Sequence, residues 1–186
     1  MNGNEFTLCP MCGGKNISYI NNRKWFCSDC GFDLYNNVAA AVGVVIADSS
    51  GSILLERRAK DPRKGFLAFP GGFVDQDESA EHAAQRECFE ETGIKPAEVA
   101  YLCSFPNTYL YRDITYKTCD MFFTAELPPG IGSISALIEK LHGQQTEVLG
   151  FESVHIASEQ DIAAAPLAFD SARKTLSCWL MRRVHQ

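Results

Sequence analysis

The chain has 186 residues, 46% of them hydrophobic, which suits one main domain with a small appendage rather than two large domains. A formal net charge of −6 and a pI near 5.2 argue against broad electrostatic adhesion to nucleic acid, so we expect no nucleic-acid partner. The polar first residues and the lack of an apolar run of about 20 residues predict a cytoplasmic protein with no membrane contact.

Residues 1–36 hold four of the eight cysteines and show little apolar periodicity. Cys9 with Cys12 and Cys27 with Cys30 form two Cys-x-x-Cys pairs, each followed by a glycine that permits a tight turn. Two such pairs favour a four-thiolate zinc site over a redox pair or disulfides. We therefore predict a zinc ribbon over residues 1–36, in which structural Zn²⁺ replaces the missing core.

From residue 38 onward the sequence contains longer apolar runs. An apolar run over 38–48, a turn, and a second run over 52–58 predict two strands that return on each other as an antiparallel hairpin. Residues 59–71 mix charge, Pro and Gly, which is typical of a functional loop. Arg57, with Arg58 and Lys64, is a candidate contact for substrate phosphate; the alternative is a solvated basic loop.

Residues 79–92 form the clearest predicted helix, with Gly93 placed to end it. Glu87, Glu90 and Glu91 stand at i, i+3 and i+4, so their carboxylates share one helix face. Like charges placed so closely repel each other unless a cation lies between them. Carboxylates without His or Cys partners suit a hard ion, so we predict that these residues bind catalytic Mg²⁺ or Mn²⁺.

Four neighbouring residues are predicted to support that site. Arg86 can hold a neighbouring carboxylate by a two-point, charge-assisted contact. Glu78 is predicted to assist metal binding through water. Gly71 and Gly72 are predicted to let the backbone approach the substrate closely.

Two strands, over 98–105 and 117–127, are predicted to flank a Tyr-rich loop over 107–116. Tyr111 and its neighbours in this loop either stack on a base or pack the sheet edge. A short amphipathic helix is predicted over 134–141 and a further strand over 147–156. The apolar face of a terminal helix comprises Ala172, Leu176, Trp179, Leu180 and Val184.

The segment 72–94 resembles the signature box of Nudix hydrolases, from Gly72 and Glu78 through the Arg86-to-Glu91 acidic run to Gly93. The resemblance implies an α/β fold, an α/β/α sandwich with a mixed sheet over residues 37–186. It also implies that water attacks phosphorus to cleave a nucleoside diphosphate joined to another moiety. Homodimers are common among similar proteins.

A zinc ribbon ahead of such a box resembles the organisation of NADH pyrophosphatases, although residues 103–107 stand in place of their Ser-Gln-Pro-Trp signature. We predict a substrate like NADH or ADP-ribose ahead of a nucleotide sugar. The alternative is a non-catalytic ligand sensor, or a nucleic-acid-binding regulator that uses the ribbon. Glu90, Glu147 and Glu152 are the candidate general bases, and the last two are equally well read as ordinary exposed strand residues.

Overall fold

The computed structural model describes residues 6–141 and 146–184, and of Val184 it describes the backbone only. The first three strands form a small antiparallel sheet of their own in the order β1-β2-β3. Trp25 is its buried aromatic residue, with ring centroids 5.0 Å from Phe6 and 4.9 Å from Tyr19. The three strands are β1 (Ile17–Ile20), β2 (Lys24–Cys27) and β3 (Asp33–Tyr35).

Six more strands form two further sheets: β4 (Ala39–Ile46), β5 (Ser52–Arg58), β6 (Leu67–Ala68), β7 (Ala100–Tyr111), β8 (Ile114–Ala125) and β9 (Val148–His155). In the sheet ordered β4-β8-β7, β4 runs parallel to β8 while β7 runs antiparallel to it. The sheet ordered β6-β5-β9 is antiparallel. Both pairing modes therefore occur, as a mixed sheet requires.

Helices cover both faces of these sheets: α1 (Ala80–Thr92), α2 (Ile134–Ile138), α3 (Glu159–Ala164) and α4 (Asp170–Val184). Because side chains alternate along β4, Val45 joins a core with α4 while Val44 joins a core with α1 and α2. This layering confirms the predicted α/β/α sandwich. Within the described ranges, no helix has the length and apolar character needed to cross a membrane.

The predicted hairpin between β4 and β5 is wrong. The turn forms, with the Asp48 N–H donating to the Ser52 carbonyl at 2.9 Å, but the two strands then diverge into different sheets. The Asp48 carboxylate accepts from Ser50, Ser52 and the start of α2 at Ile134, which fixes the point of divergence. Pairing β4 with β8 instead lets it bury apolar side chains on both faces.

The predicted Tyr-rich loop is instead a continuous β-hairpin. β7 extends to Tyr111 and β8 begins at Ile114, with Arg112 at a φ of 53° in the tight turn between them. Tyr109 lies opposite Tyr116 in the ladder, and aromatic residues favour such half-buried strand positions. Because residues 107–116 outside that turn are in strands and not in a loop, every second side chain of each strand lies on the same face of the sheet.

Candidate active site

A cavity of about 420 Å³ opens where the two sheets part, and it receives side chains from both sheets, from α1 and from the start of α4. Its size falls within the range of small-molecule binding pockets. Glu56, Glu87 and Glu91 line one part of it, while Tyr109 and Phe169 line another. We call the first group of residues the acidic wall of the cavity and the second group its aromatic wall.

The glycine pair shapes the acidic wall. Gly71 has a φ of 154°, and a Cβ there would collide with the Val42 carbonyl. A Cβ on Gly72 would lie 2.6 Å from the Glu87 carboxylate. Val42 donates its N–H to the Gly72 carbonyl at 2.8 Å, which holds this loop against β4. A Cβ at either glycine would therefore collide with its present neighbours, while the close approach of this backbone to a substrate stays a prediction.

Caps define the helix that carries the predicted metal ligands. The Ser79 hydroxyl accepts from the His82 N–H at 3.2 Å, and Gly93 ends the helix with a φ of 77° and an N–H bonded to the Phe89 carbonyl. Glu87 and Glu91, one turn apart, line the cavity. These caps fix the register that turns both carboxylates inward.

Glu90 occupies a different position from its two neighbours. Its side chain is 41% exposed and lies 3.5 Å from an Arg86 nitrogen, on the outer side of the acidic run. The cavity lining includes Glu87 and Glu91 but not Glu90. The role of Glu90 as a metal ligand or general base stays a prediction.

Glu91 is nearly enclosed, with 5% of its surface exposed. The Gly71 N–H donates to its Oε2 at 2.6 Å. Burial raises the pKa of the Glu91 carboxyl to about 8, and the charge of Glu87 adds to the rise, while the bond from Gly71 opposes it. Burial likewise raises the pKa of Glu87. An acid of this kind is poorly stabilised as an anion until a cation approaches it.

Glu56 is a member of the acidic wall that the box pattern does not contain. It is 2% exposed, and its Oε2 atom has no hydrogen-bond partner among the described residues. Burial, followed by the negative charge of Glu91, raises the pKa of Glu56 well above its ordinary value. Its signal in the sequence is a carboxylate that directly follows the apolar run 53–55 of strand β5, on the same face as Leu54.

Arg86 makes the predicted two-point contact. Its Nε and Nη2 atoms donate to the two carboxylate oxygens of Glu78 at 3.0 and 2.9 Å, and its Nη1 atom donates to Glu87 at 2.8 Å. Nη2 also donates to the Phe73 carbonyl. Arg86 lowers the pKa of Glu78, which also accepts from the Asp75 N–H. Glu78 therefore holds Arg86 and the loop in place, and Arg86 in turn orients Glu87.

The two adjacent arginines of β5 point in opposite directions. Arg57 pairs with Glu152, donates to the Gly65 carbonyl and is not among the residues that line the cavity, so its contact with substrate phosphate stays a prediction. Arg58 lines the cavity instead, with its guanidinium 5.3 Å from the Phe169 ring centroid. Strand alternation is the reason, because Arg58 shares its face with Glu56. Glu152, in the ion pair with Arg57, is not among the residues that line the cavity, and its role as a general base stays a prediction.

Glu147 lies at the rim of the cavity, and its carboxylate is 2.6 Å from Lys60 Nζ. Both side chains are well exposed, so this ion pair contributes little stability. The exposed pair leaves Glu147 accessible as a candidate base.

The aromatic wall is built mainly by the β7–β8 hairpin and the segment before α4. Tyr109 lies with its ring centroid 5.6 Å from Phe73 and 5.8 Å from Phe169. Tyr111 also lines the cavity, whereas Tyr116 packs near Phe73 at 6.3 Å. The hairpin therefore both faces the cavity and packs the sheet edge, with different tyrosines in each place.

The acidic wall fits a hard divalent cation. Its donors are carboxylate oxygens without His or Cys, and the buried unpaired oxygen of Glu56 together with Glu91 requires a positive partner. Among the residues described, the carboxylates do not gather as tightly as the cysteine cluster, whose ligand atoms lie within 4.8 Å of one another. A looser set suits Mg²⁺, which keeps several water ligands and binds substrate phosphates.

The cysteines of the small sheet fit zinc. The Sγ atoms of Cys9 and Cys30 are 3.7 Å apart, and those of Cys12 and Cys27 are 3.8 Å apart. A tetrahedron with Zn–S bonds of about 2.3 Å has edges of about 3.8 Å. The Gly14 N–H also points at Cys12 Sγ, at 3.4 Å. The cluster is therefore preformed at the spacing that a four-thiolate zinc site needs.

Comparison with known proteins agrees with this geometry. A family model described as the NUDIX domain matches residues 38–175. The NAD-capped RNA hydrolase NudC of Vibrio cholerae is 30% identical over 130 residues, covering 69% of this chain and 46% of that protein. The ADP-ribose pyrophosphatase of Methanocaldococcus jannaschii is 45% identical over 65 residues, covering 35% of this chain and 38% of that protein.

A crystal structure of a Nudix hydrolase from Nitrosomonas europaea superposes with a TM-score of 0.64 at 23% identity, covering 97% of this chain and 93% of that one. This likeness supports the fold alone. Matches to the first curated relatives span 31% to 46% of the length of those proteins.

Proposed function

The chain belongs to the Nudix family, and from this premise we propose that it is a Mg²⁺-dependent pyrophosphohydrolase that cleaves the diphosphate of a nucleoside diphosphate derivative. The observation that carries the proposal is the acidic wall of the cavity, where Glu56, Glu87 and Glu91 meet beside the glycine pair. Buried like charges in a cleft open to a small molecule are typical of catalytic sites rather than of stabilised surfaces.

In this proposal Glu87 and Glu91 hold the cation, with Glu56 behind them and Glu90 joining from the outer side. A bound Mg²⁺ ion would neutralise charge on the diphosphate and acidify the attacking water. Arg86 orients Glu87 through its short contact, and the backbone of Gly71 fixes Glu91. Glu147 and Glu90 are the two proposed general bases, since both carboxylates reach solvent at the edge of the site.

The substrate is proposed to resemble NADH or ADP-ribose, with nucleotide sugars as the second class. Two relatives whose names refer to NAD-capped RNA and ADP-ribose support an adenosine diphosphate group. Rings on the aromatic wall, including Tyr111 at its edge, offer surfaces for a base or a second ring. Gly71 and Gly72 allow the backbone to contact the phosphates.

The ribbon is proposed to hold one structural Zn²⁺ ion, and we propose the domain division 1–36 and 37–186. The separate hydrogen-bonded sheet β1-β2-β3 supports this division, as does a family match that begins at residue 38. A homodimer and the lack of a nucleic-acid partner stay predictions.

A substrate screen tests the proposal. The full chain is incubated with MgCl₂ or EDTA and with NADH, ADP-ribose, diadenosine polyphosphates, nucleotide sugars and nucleoside triphosphates, and the products are separated by chromatography. We expect Mg²⁺-dependent release of a nucleoside monophosphate from one dinucleotide or ADP-ribose-like compound. Tight binding of one compound with no turnover of any would favour the alternative, a ligand sensor that keeps the fold without catalysis.

A further inference from the structure

A buried polar cluster lies on the cavity wall formed by β8 and the start of α4, and the metal site does not use it. Asp120, Thr118 and Ser171 all line the cavity, and each is less than 9% exposed. Thr118 and Asp120 are two residues apart on β8, so they share the face that also carries Phe122. The cluster therefore presents polar atoms at the floor of an otherwise apolar part of the cavity.

The hydrogen bonds of this cluster run in one direction. The Thr118 hydroxyl donates to Asp120 Oδ1 at 2.6 Å, and the Ser171 hydroxyl donates to Asp120 Oδ2 at 2.7 Å. A hydroxyl has one hydrogen, and in both residues that hydrogen is already donated to Asp120. Each carboxylate oxygen and each hydroxyl oxygen still has a lone pair. The cluster can therefore accept hydrogen bonds from a ligand but has no side-chain hydrogen left to donate.

Asp120 lines the cavity opposite small residues of β4. Its neighbour across the β4–β8 ladder is Ala41, and Gly43 lies two residues further along β4, where a Cβ would lie 2.9 Å from Phe122. On the other side of Ala41, an isolated bridge joins it to Phe73, which follows the glycine pair. Two strand spacings, or about 10 Å, thus separate the backbone of Asp120 from that of Phe73, next to the glycine pair.

We propose that Asp120, with Thr118 and Ser171, is a base-binding subsite that selects a nucleobase bearing an exocyclic amino group; this inference rests on the proposed function, because it places a nucleotide in the cavity. Adenine and guanine carry N–H donors on the edge that would meet the carboxylate. Uracil presents one N3–H donor there between two carbonyl oxygens, so at least one acceptor would face the carboxylate or a hydroxyl oxygen and weaken binding. A base lacking the amino group would leave a buried carboxylate lone pair without a donor.

Matched pairs of nucleoside monophosphates test the proposal without hydrolysis, because they contain no diphosphate linkage. Calorimetric titration of the full chain in MgCl₂ compares AMP with purine riboside 5′-monophosphate, and GMP with IMP. Each pair differs by one amino group. Because a hydrogen bond to a charged group is strong, we expect the amino-bearing member of at least one pair to bind about tenfold more tightly or better. We also expect UMP to bind more weakly than that nucleotide.

The variant Asp120→Asn is nearly isosteric and replaces one acceptor oxygen by a donor, so the preference for the amino group should fall severalfold while circular dichroism shows a folded chain. Asp113→Asn, in the exposed β7–β8 turn, is the matched control and should keep the preference. A purely structural Asp120 would lower the melting temperature without changing this ratio. Equal affinities within both pairs, or no saturable binding of any nucleotide, would overturn the proposal.

The outcome separates this inference from the proposed function. An amino-group preference in a chain that hydrolyses nothing would leave the subsite in place and reject the enzyme. Hydrolysis of a nucleoside diphosphate derivative without any amino-group preference would support the enzyme and reject the subsite.

Discussion

Replacing Glu91 by Gln should remove the pH dependence of stability that this buried acid causes and weaken the stabilisation of the folded chain by Mg²⁺. The pKa of Glu91 is raised from 4.5 to about 8 in the folded state, so between these pH values the folded chain holds a proton that the unfolded chain has lost. Stability contributed by the protonated acid is therefore complete below about pH 4.5 and is lost as pH rises through about 8. At about 1.4 kcal/mol per pH unit, the total is on the order of a few kcal/mol.

The neutral amide of Glu91→Gln removes this dependence and keeps an oxygen that can accept from the Gly71 N–H. In EDTA at pH 9, the variant should have a larger free energy of unfolding than the parent. In MgCl₂ the order should reverse, because a cation that binds the folded state stabilises the parent and has lost a ligand in the variant. The variant should also lose nearly all turnover while remaining folded.

Urea denaturation followed by circular dichroism, with EDTA or MgCl₂ between pH 6 and 9, measures all four free energies of unfolding. Glu90→Gln is the matched control, since its side chain is half exposed and should give a small change in EDTA. If Glu91→Gln destabilised the chain in EDTA at pH 9 and still gained full stability from MgCl₂, the assignment of Glu91 as a buried metal ligand would be refuted.

Three further experiments test the arginines of β5, the glycine pair and the zinc site. Arg58→Ala should raise KM severalfold because its guanidinium lines the cavity, whereas Arg57→Ala should leave KM unchanged and lower the melting temperature slightly; equal effects on KM would contradict the strand alternation. Gly72→Ala should cut kcat with little change in melting temperature, since the new methyl displaces the Glu87 carboxylate, and steady-state kinetics with full kcat would show that this displacement does not matter. Metal analysis of the purified chain should give about one zinc per chain, and a ratio near zero would exclude the ribbon site.

The parts of the site set by local spacing were predictable from sequence. Glu87 and Glu91 share a helix face by the geometry of one turn, and Ser79 and Gly93 define where that helix begins and ends. The cluster of four cysteines was equally predictable, because each Cys-x-x-Cys pair forms a local turn that places its two sulfur atoms together. In both cases the chemistry depends on residues close together in the chain.

The parts set by long-range pairing were not predictable in the same way. The two apolar runs of β4 and β5 fit a hairpin as well as they fit two sheets, and only the pairing of β4 with β8 decides between them. Glu56 and Asp120 enter the cavity through such pairings, from strands that carry no recognisable motif. The direction of Arg57 likewise depends on a partner, Glu152, that lies 95 residues away.

The central claim is that this acidic wall directs water to the phosphorus of a diphosphate in the presence of Mg²⁺. Turnover of the substrate found by the screen in ¹⁸O-labelled water, followed by mass spectrometry of both products, measures this directly. We expect one labelled oxygen on a phosphate of one product, with no reaction in EDTA. Products without label on phosphate, or equal turnover in EDTA, would contradict it.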